Sequence, residues 1–380
     1  MKTFCSATAA SRGSRARLVL LTIALALFGA TASMAQPTDE RDLAELTLEE
    51  LLEVEIGHFA ITGIHHTHDH PKGEWMLGYS YMFMNMDGNL DGTGSKNKQD
   101  IYDDGFMVAP LNMTMQMHMF HLMFAPTDRL TLMLMMPYVV KSMEHRVNPA
   151  ILMPFAGQKF TTRSEGPGDF QLSAIIDLWE NETHRLIMEG GWSFPTGSID
   201  EKDNLPNTMG ADVRLPYPMQ LGSGTFDVHP GLTYIGQTRN WSWGLHSDGT
   251  LRFGKNDHHY RLGNEWMASV WGARALTRFI STTVRLDGRG WKNIHGADPS
   301  LNPMMVPTAD PDLRAGERLD IVFGLNLYAP EGRWSGHRLT LEGGLPVYQR
   351  LDGPQLETTW QMRVAWELTF DSIFGWRWSL

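Results

Sequence analysis

Residues 360–370 read Trp-Gln-Met-Arg-Val-Ala-Trp-Glu-Leu-Thr-Phe, and this stretch decides the fold. Large apolar side chains occupy every second position and alternate with polar, charged or small ones. Because successive side chains of a β-strand point to opposite faces, the stretch predicts a strand with one apolar and one polar face. The size of the apolar side chains, and the recurrence of the pattern, favour lipid against the apolar face.

The same period of two recurs along the chain from Gly73 onward. It predicts twelve strands, at 73–86, 111–124, 129–144, 168–180, 183–196, 225–238, 240–253, 259–272, 278–291, 316–329, 337–349 and 357–370. Each span is long enough for a tilted strand to cross a bilayer. An even number of strands is also typical of single-chain bacterial outer-membrane barrels.

The connections between these strands sort by length. Connections 87–110, 145–167, 197–224 and 292–315 are long and follow odd-numbered strands, whereas those after even-numbered strands are short. Outer-membrane barrels have long extracellular loops and short periplasmic turns, whereas a soluble sandwich has no reason to sort its loops in this way. We therefore predict an all-β fold, a transmembrane antiparallel up-and-down β-barrel of about 12 strands, with lipid around it and both termini in the periplasm.

The N-terminal residues predict export. Residues 1–35 combine a basic start, an apolar run from Leu18 to Phe28 and small residues before Gln36, which is typical of a signal peptide. Residues 36–72 are predicted to form a periplasmic segment, in which Thr47 and Glu50 form a capping box that begins a short helix. The barrel is predicted to occupy residues 73–380.

Composition excludes several kinds of partner and site. Cys5 is the only cysteine, so loss of the signal leaves no disulfide and no thiolate metal site. Loss of the signal's four basic residues shifts the formal net charge from −11 to −15. This acidity argues against nucleic acid as a partner.

Two motifs resemble the outer-membrane family of meta-pathway phenol-degradation transporters. They are Gly166-Pro167-Gly168-Asp169, which opens a strand, and residues 346–356, which read Pro-Val-Tyr-Gln-Arg-Leu-Asp-Gly-Pro-Gln-Leu. The resemblance covers about residues 73–370 and implies a transporting barrel. Residues 68–73, 81–88 and 113–119 further resemble a methionine-rich subgroup that accompanies copper-handling proteins, which implies a link to metal.

Methionine is concentrated in the first third of the barrel. Fifteen of the 24 methionines lie between Met76 and Met153. Thioethers are soft ligands that suit Cu(I), whereas the alternative is that methionine fills lipid-facing positions. Alternation places Met82, Met84, Met133 and Met135 in the lumen, where they are candidate copper ligands.

The second predicted strand is ambiguous. We expect Asn112, Thr114, Gln116 and His118 to face inward, which sends the alternating methionines to lipid and makes His118 the nitrogen ligand. The reverse facing remains open. A second cluster contains His66, His68 and His70, which would form a periplasmic arm that collects metal ions, or else a solvated tether.

The remaining inward positions carry charges of both signs. They are Arg185, Glu189, Asp248, Arg252, Arg261, Glu265, Arg285, Asp287, Arg289, Arg318, Asp320, Arg363 and Glu367. A wet lumen tolerates such a face, and opposed charges bias which solutes pass. We therefore predict an outer-membrane channel for small solutes or ions, with copper as a candidate cargo and cofactor. The alternatives are a structural or metal-binding barrel whose lumen is plugged by ion pairs, and an outer-membrane enzyme. We expect no enzyme, because the chain lacks a nucleophile motif such as G-x-S-x-G.

Overall fold

The computed structural model describes residues 71–206, 210–329 and 332–370. The predicted signal peptide, the predicted helix at Thr47, and His66, His68 and His70 lie outside the described residues. The strands are β1 (Trp75–Gly92), β2 (Gly94–Lys96), β3 (Val108–Thr127), β4 (Leu130–Val147), β5 (Lys159–Pro167), β6 (Phe170–Glu180), β7 (His184–Phe194), β8 (Lys202–Asn204), β9 (Asp212–Arg214), β10 (Asp227–Gln237), β11 (Trp241–Arg252), β12 (Tyr260–Arg261), β13 (Glu265–Ala275), β14 (Ile280–Trp291), β15 (His295–Gly296), β16 (Gly316–Tyr328) and β17 (His337–Phe370).

The helical elements are short. One α-helix, α1 (Lys98–Asp103), follows β2, and its capping box is formed by Asn97 and Asp100. Single 3-10 turns lie at Tyr217–Met219, Pro307–Ala309, Pro311–Leu313 and Gly332–Trp334. Within the part of the chain that the structure describes, no helix is both long and apolar enough to span a membrane.

The strands form a closed antiparallel barrel. The ring runs β1, β3, β4, β6, β7, β10, β11, β13, β14, β16 and β17, and pairing between β17 and β1 closes it. Strand β17 supplies two passes, because residues 338–351 pair with β16 and residues 351–370 pair with β1. The chain turns between these halves at Gly353, whose φ of +68° suits glycine. Ten single strands and the two halves of β17 thus make twelve passes, and the predicted barrel is confirmed.

The outer face of the barrel is apolar. Exposed side chains around its middle include Leu77, Leu132, Leu172, Leu232, Leu245, Val270 and Leu286. Exposed aromatic side chains lie nearer the two ends of the strands. They are Trp179, Trp241 and Phe279 beside the short turns, and Trp192, Phe226, Trp266 and Tyr348 on the side of the long loops. An apolar band between two aromatic girdles is the surface of a membrane-spanning barrel.

The long and short connections segregate to opposite ends of the barrel, as the sequence predicts. We call these the loop end and the turn end. The connections at the loop end are more structured than expected, because β5 lies within the predicted loop 145–167. Strand β4 pairs with β6 up to Met135–Gln171 and with β5 from Tyr138–Pro167 onward. Pro137 lies where the partner changes, and its missing N–H fits this break in the ladder.

The predicted strand 259–272 begins later than expected. Strand β13 starts at Glu265, and Arg261 lies in the short strand β12, which pairs with β15 above the barrel. The placement of Arg261 on the barrel wall was therefore wrong. Asn256 accounts for this, because its amide oxygen accepts hydrogen bonds from the backbone amides of His258 and Tyr260 and turns the chain there.

Candidate functional site: a methionine-lined chamber inside the barrel

The pairing of β1 with β3 fixes which methionines face the lumen. Met76 pairs with Met123 and Met82 with Met117, and cross-strand partners share a face of the sheet. Met76 and Met123 are each 1% exposed, so this face points inward. The odd-numbered residues of β3 therefore line the lumen, and the preferred inward face with Asn112, Thr114, Gln116 and His118 was wrong.

The physical reason lies in the second half of β3. Phe120, Leu122 and Phe124 share their parity with His118, and Phe120 is 52% exposed on the outer face. Lipid contact by these large side chains determines the facing of the whole strand, because a strand cannot reverse its faces without a bulge. The parity of Phe120, Leu122 and Phe124 was the sequence signal that would have given the correct face.

His118 consequently lies on the opposite face of β3 from the luminal methionines. Its Nδ1 atom is 2.8 Å from the Tyr79 hydroxyl, and its ring lies 5.1 Å from that of Tyr81 and 6.5 Å from that of Tyr138. It belongs to an aromatic patch on the outer wall. The predicted grouping of His118 with Met82 and Met84 was therefore wrong.

A chamber of about 210 Å³ lies in the middle of the lumen. Its apolar lining consists of five methionines, Met82, Met117, Met119, Met135 and Met267. Its polar lining consists of Ser80, Gln171, Glu189, His229, His246, Asp248 and Arg363. Sequence reasoning named Met82 and Met135 as site residues but missed Met117 and Met119, because it assigned them to lipid. It also missed His229 and His246, which have no distinguishing motif.

The two other predicted thioether ligands lie elsewhere in the lumen. Met84 is buried against Arg318 and Thr358, with its sulfur 3.8 Å from the Thr358 hydroxyl. Met133 is 1% exposed and packs in an apolar cluster towards the turn end. The predicted ligand set is thus spread over three places, and no single site contains it.

The apolar cluster around Met133 forms a floor beneath the chamber. It is built from one inward side chain of each of seven strands, namely Met76, Met123, Met133, Ile175, Ile187, Ile235 and Trp271. Met135 packs against it from the chamber side. At this level the lumen is therefore lined by apolar side chains.

A second cavity of about 580 Å³ opens above the chamber, towards the loop end. The two cavities share Met117, Gln171 and His229 in their walls, so they adjoin. We call the upper cavity the vestibule. The vestibule thus lies between the loop end and the chamber, and the apolar floor lies beneath the chamber.

The connection that follows β7 folds into the barrel mouth and lines the vestibule. The carbonyl oxygen of Met219 accepts a hydrogen bond from the Ser164 hydroxyl at 2.6 Å, and that of Gln220 accepts one from the Lys141 ammonium at 2.5 Å. The Met219 side chain is fully buried with Met113 and Met143 from the barrel wall. Methionines at this level thus pack a loop against the wall, which is a structural use of the residue.

Asp169 anchors both ends of this loop. Its carboxylate accepts a hydrogen bond from the backbone amide of Gly197 at 2.8 Å and another from that of Ser223 at 2.7 Å. Gly168, Gly197 and Gly222 pack backbone to backbone beside it; a Cβ on Gly197 would lie 2.8 Å from the Gly222 Cα. The motif Gly166-Pro167-Gly168-Asp169 therefore positions the loop over the vestibule.

Above the vestibule, the long loops interlock through Tyr217 and Tyr260, whose rings meet edge to face at 4.9 Å. The Tyr217 hydroxyl accepts a hydrogen bond from the Asp298 amide, and Arg214 lies 3.4 Å from the Asp298 carboxylate. Burial raises the pKa of Tyr260 to about 12, so its hydroxyl remains protonated at neutral pH. The mouth is therefore shaped by folded loops, which fixes the geometry of the vestibule.

Several of the predicted luminal charges form ion pairs, which lie in three regions. Near the turn end, Arg185 lies 2.8 Å from Glu180, and Glu367 lies 3.6 Å from Arg338. At the vestibule, Arg252 lies 3.2 Å from Asp227 and 2.8 Å from Glu265.

A denser network lies on β14, β16 and β17. Arg285 lies 2.8 Å from Asp287 and 3.2 Å from Glu342, and Arg318 lies 3.0 Å from Asp320. A cavity of only about 20 Å³ remains beside this network, in contact with Arg289 and Arg363. This side of the barrel is therefore filled, and the open space lies on the side of the chamber.

The two chamber histidines are held by hydroxyl groups. Nδ1 of His246 lies 2.8 Å from the Thr233 hydroxyl, and its Nε2 lies 3.3 Å from the Asp248 carboxylate. His229 contacts the hydroxyls of Ser193 and Thr250, each at 3.2 Å. Across the described ranges, no three histidine, cysteine or carboxylate side chains form a group that could hold a metal ion.

Solved structures share this fold. An outer-membrane channel from Pseudomonas putida F1 is 14% identical, with 79% of this chain and 97% of that chain covered and a TM-score of 0.54. The toluene transporter TbuX from Ralstonia pickettii is 8% identical, with 79% of this chain and 90% of that chain covered, and its TM-score is only 0.41. No curated protein matches the chain.

The family comparison agrees with the broad resemblance seen in the sequence. A family model described as "Putative MetA-pathway of phenol degradation" matches residues 91–286, which is just over half of the chain. The matched residues run from the end of β1 through β14 and include Asp169 and most of the chamber wall. The chain, a closed antiparallel barrel with an internal chamber, belongs to the family of the putative MetA-pathway of phenol degradation.

Proposed function

We propose that the protein is a channel for small solutes in an outer membrane, and not an enzyme. In this proposal residues 1–35 are removed as a signal peptide, both termini lie in the periplasm and the loop end faces the outside. Solutes enter the vestibule from the loop end and reach the chamber. Motion of the flexible methionines in the floor then opens the way to the turn end.

The observation that carries the proposal is the pair of adjoining cavities inside a barrel with a lipid-type outer surface. A space of about 580 Å³ above one of about 210 Å³ has room for small molecules. The apolar floor supports a gated channel, because hydrophobic constrictions can control passage by excluding water.

Single-channel recording in planar bilayers tests this proposal. We expect the purified barrel to give discrete conductance steps, and Met133→Ala to enlarge them because it opens the floor. Met153→Ala is the matched control, since Met153 lies in a loop and is 51% exposed. Absence of conductance from wild type and Met133→Ala, both shown to be folded, would support the plugged structural barrel instead.

Copper transport is a second candidate, supported by the five methionines and two histidines around the chamber. Thioether and imidazole ligands suit Cu(I), and soft ligands prefer it to Zn(II). The test is the copper sensitivity of a deletion strain that is complemented with wild type or with a variant in which Met82, Met117, Met119 and Met135 are all leucine. Leucine keeps the apolar volume but removes sulfur, so full restoration of copper tolerance by this variant would rule out the candidate. Equal sensitivity of the deletion strain and its parent would also do so.

A further inference from the structure

We infer that the solute carried is a small organic anion with an apolar body, such as a single-ring aromatic carboxylate. This inference rests on the proposed channel function and names its substrate class. It comes from cations in or beside the walls of the two cavities that form no ion pair within 4.0 Å in the described part of the chain, next to a wall of thioethers.

Arg363 lines the chamber, and Arg289 contacts Met267 of the chamber wall. The Arg363 guanidinium donates to the Met82 sulfur at 3.8 Å, and the Arg289 guanidinium donates to the Met267 sulfur at the same distance. Among the described residues neither guanidinium forms an ion pair within 4.0 Å. A thioether is a weak acceptor, so both arginines keep donors for a stronger one. A carboxylate is the acceptor that matches a guanidinium in charge and shape.

The vestibule adds three cations on the route to the chamber. Lys141, Lys292 and Arg314 line it, and within the described part of the chain none of them forms an ion pair. Lys141 donates only to the carbonyl oxygen of Gln220. Burial lowers the pKa of Arg314 to about 10, so it remains charged at neutral pH while its Nη1 atom has no hydrogen-bond partner. These cations attract anions towards the chamber.

Most of the acidic residues along the same route already have partners. Asp169 accepts two backbone amides, Asp227 and Glu265 pair with Arg252, and Asp248 lies beside His246. Glu189 is likewise engaged in a polar or electrostatic interaction. Apart from Asp248, whose Oδ1 atom has no hydrogen-bond partner, the charged groups that remain available to a solute are therefore cationic, although the chain as a whole carries a net charge of −11.

The methionines select the body of the solute. Thioether sulfur makes favourable contacts with the edges of aromatic rings, and its flexible side chain adapts to their shape. The chamber of about 210 Å³ is larger than the roughly 150 Å³ cavity that accepts benzene in an engineered protein. A ring with one carboxylate therefore fits, with the ring against the methionines and the carboxylate towards Arg363.

Two measurements on the purified full barrel test the inference. The first is the reversal potential across a KCl gradient in planar bilayers, which we expect to show chloride preferred over potassium. The second is calorimetric titration of the detergent-solubilised barrel with sodium benzoate and, separately, with benzylammonium chloride, of which only benzoate should bind. Arg363→Met should lower both the chloride preference and the benzoate affinity about fivefold, as expected for one charge lost at a wet site.

Arg350→Met is the matched control, because it removes the same charge from an exposed position outside the lumen and should change neither quantity. Conductance with potassium preferred, or with a selectivity that Arg363→Met leaves unchanged, would overturn the inference while the channel function stands. Absence of conductance would contradict the channel function itself. The titration still tests whether the lumen binds an aromatic anion. Equal binding of benzoate and benzylammonium, or no binding of benzoate, would overturn the inference.

Discussion

The carboxylate of Asp169, which lies between β5 and β6, accepts a hydrogen bond of 2.8 Å from the backbone amide of Gly197. The same carboxylate holds Ser223 at the other end of the loop. One side chain thus fixes the position of a loop that supplies much of the vestibule wall. The structure of the barrel mouth therefore depends on this contact and on its neighbours.

Asp169→Asn should release the loop at one end. The amide side chain keeps one acceptor oxygen and places a donor against a backbone amide, so one of two charge-assisted hydrogen bonds is lost at a cost of about 2 kcal/mol. We expect faster proteolytic cleavage of the loop in intact cells and larger current fluctuations. Asp257→Asn, at an exposed position of another loop, should leave both unchanged. Equal cleavage rates in Asp169→Asn and wild type would show that the contact does not hold the loop.

Gly197→Ala should disturb the same region through its backbone. The added Cβ would lie 2.8 Å from the Gly222 Cα and 2.9 Å from the Gly168 carbonyl carbon, neither of which can move independently of the chain. We expect a destabilisation of about 2 kcal/mol, measured as a lower temperature at which the folded barrel unfolds in detergent. Gly190→Ala is the control, because its Cβ would meet nothing within 4 Å. Similar unfolding temperatures for the two variants would contradict the close packing.

The facing of β3 can be tested with single cysteines. Met117→Cys lines the chamber and should react with a charged, water-soluble thiol reagent, whereas His118→Cys faces the outer wall and should react poorly. Background labelling of other positions is low, because Cys5 is the only native cysteine. Mass spectrometry of the labelled barrel in lipid gives the extent of reaction. A faster reaction at position 118 than at position 117 would show instead that His118 faces the lumen and Met117 faces lipid.

Arg285→Met should destabilise the barrel strongly. The side chain is 7% exposed and forms two hydrogen bonds of 3.2 Å to Glu342, and its loss leaves a buried carboxylate without its cation. We expect a cost of about 3–5 kcal/mol, seen as a lower unfolding temperature in detergent. Adding Glu342→Gln should recover part of it, because the unpaired charge is then removed. Arg278→Met, at an exposed turn, should have little effect, and an equal effect of the two arginine variants would argue against a buried pair.

The sequence predicted the barrel well because period-two alternation and loop length are local properties. The alternation from Trp360 to Phe370 predicts one apolar and one polar face without information about the neighbouring strands. The twelve spans follow from the same alternation. The facing of residues 112–119 was missed because both faces there carry side chains acceptable to lipid. Within this stretch only the pairing of Met82 with Met117 distinguishes the two faces, and strand pairing is a long-range property. The local signal lies farther along the strand, in the shared parity of Phe120, Leu122 and Phe124.

The chamber was harder to predict for the same reason. His229, His246 and Met267 come from three strands far from Met82 in sequence, and each looks ordinary in its own strand. The ion pair between Arg285 and Glu342 joins residues 57 positions apart. By contrast, Gly166-Pro167-Gly168-Asp169 was recognisable as a motif, although its role in anchoring a loop became clear only from the amides of Gly197 and Ser223.

The seam between β1 and β17 also constrains how the molecule forms. At this seam Asn85 donates a hydrogen bond to Thr359, 274 positions along the chain. Contacts of such separation form slowly, because the entropy of closing a long loop is lost before the contact contributes any stability. Until β17 arrives, β1 and β16 present unpaired edges that can join with other chains. A nascent barrel of this kind therefore needs protection from aggregation for as long as the seam stays open.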